Sequence, residues 1–224
     1  YPTNSGMSAI VTALLQLLSP GDKVLSAGSI YGGTHALFSN FFPKWGVETR
    51  FVRPTDIEGF KDGMRDKPKI IFAETVANPT LEIADLRALA DLAHENGALL
   101  VVDNTFSPLM FTPQRLGADV IINSTTKFIS GTGDNMGGAI CCSHELLMQM
   151  MALEDGVMML LGTTMDAQKA YEVSRCLPHL HLRIKAHSER ALLFAKRAEE
   201  IPGLKVSYPG LPSNPQHDLV NEMM

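Results

Sequence analysis

Apolar residues along the chain fall into two alternating rhythms. Short, nearly unbroken apolar runs at Lys23–Ala27, Lys69–Glu74, Ala98–Val102 and Asp119–Ile122 predict buried strands. Val47–Val52 alternates in the manner of a strand, and Gly137–Cys142 predicts another. Between these runs the spacing becomes helical. After the Ser5-Gly6 turn, Ile10, Leu14, Leu15 and Leu18 share a helical face that Pro20-Gly21 stops. Gly32–Trp45 predicts a helix ending near Gly46, and Asp56 caps one running through Met64. Ala84–Asn96 is amphipathic, with Leu86, Leu89, Leu92 and Ala93 on one side and Gly97 beyond its end. His144–Leu153 predicts a Met-rich helix.

Strands alternating with helices imply βαβ crossovers, hence an α/β fold: a mostly parallel sheet in a three-layer α/β/α arrangement. Near Pro178 the character changes. His179–Glu200 predicts one long helix, with Leu180, Ile184, Ala191, Phe194 and Ala198 near its period. Pro202-Gly203 ends it, and Leu204–Tyr208 predicts a strand. The expected division is a large domain over 1–178 and the start of a smaller α+β domain over 179–224. The chain starts abruptly at Tyr1 and stops at Met224 without a closing element, which predicts a segment of a longer protein.

Composition narrows the function classes. Apolar residues make up 45% and charged ones 19% of 224, ample for a core, and the formal charge is −5. No basic stripe is present, which argues against nucleic acid as a partner. The apolar runs are of strand length, far short of the ~18 residues needed to cross a bilayer, so no membrane partner is expected. Cys141, Cys142 and Cys176 form no CxxC pair and predict a reducing, cytoplasmic setting.

In open parallel sheets, ligands sit beyond the carboxyl ends of the strands. There the sequence delivers Asn78, Asp103 and the run Ser124-Thr125-Thr126-Lys127: an amide, a carboxylate, hydroxyls and an amine. No P-loop accompanies them, Gly131-Thr132-Gly133 lacks the last glycine of a dinucleotide fingerprint, and Gly6-Met7-Ser8-Ala9-Ile10 lacks that of a nucleophile elbow. His179 and His181 lie about 200° apart on their helix, so no metal site is expected. Pyridoxal phosphate does use this set. A Lys amine condenses with its aldehyde, an Asp keeps its ring nitrogen protonated, and hydroxyls and helix-start N–H groups hold its phosphate.

Ser5-Gly6-Met7, Tyr31-Gly32-Gly33-Thr34, Asn78-Pro79-Thr80, Val101-Val102-Asp103-Asn104-Thr105-Phe106 and Ser124-Thr125-Thr126-Lys127-Phe128 occur in that order. Together they resemble the Cys/Met-metabolism family of pyridoxal-phosphate enzymes, the trans-sulfuration enzymes, over essentially the whole chain. Within that family the likeness is to the plant-type methionine γ-lyase branch. The resemblance implies the fold-type I, aspartate-aminotransferase-like large domain. It implies that Lys127 carries the cofactor and moves protons, and that Asp103 pairs with the ring nitrogen. Ser124, Thr126 and the N–H groups of Gly6 and Met7 would bind phosphate. Tyr31 would stack on the ring and protonate the leaving sulfur, Asn78 would bond the phenolic oxygen, and Glu74 would stand behind them. The implied reaction is α,γ-elimination on methionine or a related sulfur amino acid, giving 2-oxobutyrate, ammonia and a thiol. The alternatives are a cystathionine γ-lyase, a γ-replacement transferase (a cystathionine γ-synthase or an O-acyl-homoserine sulfhydrylase) and a non-catalytic relative. The resemblance further implies a homotetramer, a dimer of dimers. In the family an N-terminal segment lends a Tyr and an Arg to a neighbouring subunit, and a C-terminal domain supplies an Arg for the substrate carboxylate; none of these is in this chain. Two positions depart from the pattern: Gly33, where many bacterial methionine γ-lyases carry a cysteine, and Thr132, where many relatives have a histidine.

Overall fold

The computed structural model describes all residues, 1–224. Seven strands form one sheet: β1 (Pro2–Thr3), β2 (Lys23–Ala27), β3 (Glu48–Val52), β4 (Ile70–Glu74), β5 (Leu99–Asp103), β6 (Val120–Ser124) and β7 (Gly138–Cys141). Their order is β1-β7-β6-β5-β4-β2-β3. Strands β3, β2, β4, β5 and β6 run parallel; β7 lies antiparallel to β6 and to β1. Ile70, Ile71, Phe72 and Ala73 are fully buried, as a strand inside a sheet with both faces covered must be.

The first two helices to follow are α1 (Gly6–Leu17), packed on β6 and β7, and α2 (Gly32–Ala36). On the other face lie α3 (Ile57–Gly63), beside β3, and α4 (Leu86–Glu95), against β4 and β5. Side chains of Ser5, Asp56 and Asp85 accept the N–H groups that open α1, α3 and α4. The long helix expected over Gly32–Trp45 is divided instead. After α2 the backbone widens into a π turn at Leu37–Phe41 and tightens into a 3-10 turn at Phe42–Trp45, closed by Gly46 at φ +74°. Pro43 is the cause, since it has no N–H and its ring excludes an α-helical carbonyl. Phe38, Phe42 and Phe72 meet beneath this segment in the core.

Helix α5 (His144–Met150) ends three residues before the expected Leu153, and α6 (Val157–Leu161), α7 (Ala167–Cys176), α8 (Leu180–Glu199) and α9 (His217–Met223) follow. The strand expected at Leu204–Tyr208 is not formed: the segment is irregular and mostly exposed. It pairs with no strand of the sheet, and Pro209 follows it. The chain then returns to the sheet's core. Gln216 exchanges two hydrogen bonds with the backbone of Ile83, at 3.0 and 2.7 Å, and Val220 and Met223 join the main apolar cluster.

Candidate active site

The strand order places a crevice where it reverses. Strands β2 and β4 are neighbours, but the chain leaves β2 toward β3 and leaves β4 toward β5, so their following loops part at the carboxyl rim. That rim carries Tyr31 after β2, Glu74 at the end of β4, Asp103 at the end of β5 and Ser124 at the end of β6. The antiparallel pairs bring a further element to it. Ser124 sits opposite Gly138, and Gly138 opposite Thr3, so α1 begins beside Ser124.

The start of α1 is built for close approach. A Cβ added at Gly6 would lie 2.7 Å from Ser124 Cβ and 3.0 Å from its Oγ. The Ser5 hydroxyl takes the N–H of Ser8 at 3.0 Å, which leaves the N–H groups of Gly6 and Met7 in a first turn without intrahelical partners. No acidic residue lies in that turn. An anion is therefore favoured in the space that glycine keeps open.

Glu74 ties two loops together. Its Oε1 accepts the N–H of Tyr31 at 2.7 Å, and its Oε2 that of Asn78 at 3.3 Å. Glu74 and Asp103 are register partners across β4 and β5, both buried. Burial pushes the Glu74 carboxyl up to about 7, with the Asp103 charge adding to it and the two N–H groups opposing it. Asp103 is pushed upward by burial too, against the hydroxyl and N–H of Thr105. Tyr31 is about half exposed. A Cβ at Gly33 would lie 2.5 Å from Tyr31 Cε1 and 3.2 Å from Met7 Sδ, so Gly33 leaves the ring and Met7 room to sit together.

Thr105 joins the two ends of the site, and nothing in the sequence pattern singles it out from its neighbours. Its N–H donates to Asp103 Oδ1 at 2.9 Å, and its hydroxyl accepts the N–H of Ser124 at 2.7 Å. The Ser124 hydroxyl itself has no protein partner in the structure, whereas that of Thr126 is engaged by Gly137: it accepts from N at 3.0 Å and donates to O at 3.2 Å. Lys127 follows on the π turn Thr125–Ile129, the one residue of that turn with non-helical dihedrals (φ −86°, ψ −119°). It is exposed and takes part in no ion pair. Gly6, Met7, Tyr31, Asn78, Asp103, Ser124, Thr126 and Lys127 are thus linked along one rim by these contacts and by adjacency. A helix-start cradle beside a free hydroxyl, a buried carboxylate and an unpaired amine fit pyridoxal phosphate at its phosphate, ring nitrogen and aldehyde respectively.

The buried carboxylates carry a pH signature. Unfolded, Glu74 loses its proton near 4.5; folded, it keeps it to about 7. The folded state binds more protons in that window, so stability falls as pH rises through it. The full cost, on the order of 3 kcal/mol, is present above it. Asp103 shifts in the same direction. In cofactor-free protein the thermal midpoint is expected to drop as pH is raised from about 5 to about 7.5, and Glu74→Gln is expected to flatten that slope. Equal slopes for the two proteins would place the titration on other groups.

Comparison with known proteins supplies the frame. The family description "Cys/Met metabolism PLP-dependent enzyme" matches residues 1–224. Methionine gamma-lyase of Arabidopsis thaliana is 47% identical over 100% of this chain and 51% of its own length. O-succinylhomoserine sulfhydrylase of Pseudomonas aeruginosa is 39% identical over 97% of this chain and 53% of its own. Cystathionine gamma-synthase of Mycobacterium tuberculosis is 39% identical over 99% of this chain and 57% of its own. The crystal structure of MetB from Corynebacterium glutamicum superposes with a TM-score of 0.91 at 34% identity, over 100% of this chain and 58% of that one. The chain spans about half the length of the curated relatives it matches.

Proposed function

The chain belongs to the Cys/Met-metabolism family of pyridoxal-phosphate-dependent enzymes, and on that premise we propose that the whole protein is a carbon–sulfur lyase. It converts methionine, or a related sulfur amino acid, and water into 2-oxobutyrate, ammonia and a thiol. The observation that carries the reading is the unpaired amine of Lys127, two residues beyond a turn start at Ser124-Thr125, on the rim that holds buried Asp103. The 47% identity to a methionine gamma-lyase supports elimination as the outcome.

Bound pyridoxal phosphate supplies an electron-withdrawing ring that stabilises negative charge beside the substrate's α carbon. The chain's own residues do the rest. Ser124 Oγ and the N–H groups of Gly6 and Met7 hold the phosphate, and Thr126, its hydroxyl bonded to Gly137, fixes the turn beside them. Asp103 keeps the ring nitrogen protonated, and that positive neighbour offsets the cost of burying the carboxylate. Asn78 bonds the phenolic oxygen, and Glu74 fixes the Tyr31 and Asn78 loops. Lys127 Nζ anchors the cofactor and takes the proton from the substrate's α carbon. Tyr31 offers its ring as a stacking face and its hydroxyl as the proton source for the leaving sulfur.

A second reading, γ-replacement by a thiol on an acylated homoserine, is favoured by the sulfhydrylase and synthase relatives and by Gly33 beside Tyr31. The deciding assay gives the whole protein methionine alone, then O-succinylhomoserine with cysteine. Release of 2-oxobutyrate and a thiol from methionine supports the lyase; cystathionine formed without activity on methionine overturns it. No helix is long and apolar enough to cross a membrane. The reading includes a cytoplasmic setting, supported by three free cysteines, and a homotetramer, supported by exposed Met159, Leu160 and Leu161. A monomer with full activity in light scattering would defeat the tetramer.

The hydroxyls of Ser124 and Thr126 are not expected to weigh equally. Ser124→Ala removes an uncommitted hydroxyl and should weaken cofactor affinity about 10- to 100-fold, from ~1.5–3 kcal/mol for a bond to a charged group. Thr126→Ala removes a hydroxyl already bonded to Gly137, so its loss should show more in thermal stability. Cofactor titration together with thermal unfolding of both variants checks this; equal affinity losses would show that Thr126 lets go of Gly137 to bind phosphate.

A further inference from the structure

We propose that Arg183, on α8, is a positioning residue for Lys127. The Lys127 turn closes on itself through Ser130 N to Thr125 O and Gly131 N to Lys127 O, both at 2.8 Å. It ends there, so the carbonyls of Phe128 and Ile129 face no continuing helix. Arg183 serves both: Nη1 donates to Phe128 O, and Nη2 donates to Ile129 O at 2.7 Å. The same guanidinium donates to Cys176 O at 3.2 Å, at the end of α7, and through Nε to His179 Nδ1 at 3.1 Å, at the start of α8. One half-buried planar fork thus fastens the turn behind the reactive amine to two helices outside the sheet.

Two further features are arranged around this clamp. Gly131 has φ +82°, and a Cβ there would lie 2.3 Å from Arg183 Nη1 and 2.9 Å from Cζ. Only glycine fits both the turn and the guanidinium. The Phe128 ring meets Phe106, in the loop after Asp103, at 5.8 Å and His187, on α8, at 5.9 Å, each edge to face. The turn is therefore held between the loop of the ring-nitrogen carboxylate and α8. Lys127 is exposed and makes no ion pair of its own, so the reach of Nζ is set by where this backbone is pinned. Misplacement of a reacting group by about 1 Å can cost on the order of 100-fold in rate.

The inference rests on the reading that Lys127 is the reactive amine, and the test separates the two. Arg183→Ala and Arg183→Lys are made in the whole protein. The lysine variant keeps a charge and a long stem but cannot fork across two carbonyls, and it is the one read if the alanine variant does not accumulate folded. In cofactor-free protein, amide exchange of the peptide covering 125–131 is expected to rise about 10-fold or more, with β4 and β5 unchanged. In loaded protein, kcat should fall about 10-fold or more, KM stay within about 3-fold, and borohydride trapping of cofactor on Lys127 slow; added guanidinium should restore part of kcat in Arg183→Ala. A lowered thermal midpoint with exchange, kcat and trapping at wild-type values would make Arg183 merely structural and overturn the proposal. If wild-type Lys127 cannot be trapped at all, the reading of the site fails, while the exchange result still decides whether Arg183 holds the turn.

Discussion

Replacement of Lys127 by alanine is expected to abolish turnover and the borohydride-trapped cofactor, with little change in thermal stability. The amine is the only one standing directly after a strand end at the site's rim; Lys23 and Lys69 lie at the opposite, amino ends of β2 and β4. Losing it removes both the anchor of the cofactor and the group that takes the α proton. General-base loss alone costs ~10²–10⁴ in rate, and loss of the covalent anchor adds to that, so a fall of at least about 10³-fold is expected. Because the side chain is exposed and unpaired, the fold loses almost nothing. A trapped adduct at wild-type level in Lys127→Ala would end the assignment of this residue.

Asp103→Asn is expected to separate stability from function. The carboxylate is buried, and burial pushes its proton affinity up, so the folded cofactor-free protein bears the cost of its charge. An amide of the same shape accepts the Thr105 N–H without that cost, so the variant should unfold at an equal or higher temperature at neutral pH. With cofactor, a neutral amide cannot hold the ring nitrogen's proton by charge. Removal of the substrate α proton should then slow by several kcal/mol, roughly 10³-fold. Exchange of that proton with deuterium oxide, followed by NMR, reads the step directly. Exchange at the wild-type rate would show that Asp103 faces something else.

The sheet was largely legible because its parallel strands are buried on both faces. Ile70–Ala73 and Leu100–Val102 announce themselves as apolar runs, and the rim residues follow from where those runs stop. What stayed hidden was of another kind. Pro2–Thr3 is too short a strand to carry any periodicity, and it exists only because Gly138 and Ala139 lie opposite. Leu204–Tyr208 alternates as a strand would, yet alternation says nothing about whether the fold brings the segment to a sheet edge. Helix α9 follows Pro215 and is too short for a clear stripe, but Val220 and Met223 reach the core. Thr105 and Arg183 act through backbone atoms of residues 19 and 54–55 positions away, partners that no local spacing encodes.

The pairing of β1 with β7 has a consequence for how the chain is made. Pro2 and Thr3 pair with the strand at 138–141 and meet Thr164 and Met165 beyond it, Asn4 N reaches Thr163 O, and the apolar face of α1 packs on β6 and β7. Residues 2–17 therefore leave the ribosome well before the segments they settle against. At ~5–20 residues per second, they wait roughly 7 to 30 seconds. A lone 12-residue helix is marginal in water, so Ile10, Ala13 and Leu14 spend that interval uncovered, when a chaperone or a neighbouring nascent chain can reach them. Ribosome-bound chains ending near residue 120 should be cut readily within 6–17, and chains long enough for 138–165 to have cleared the exit tunnel should resist; equal resistance would mean that α1 finds an earlier shelter.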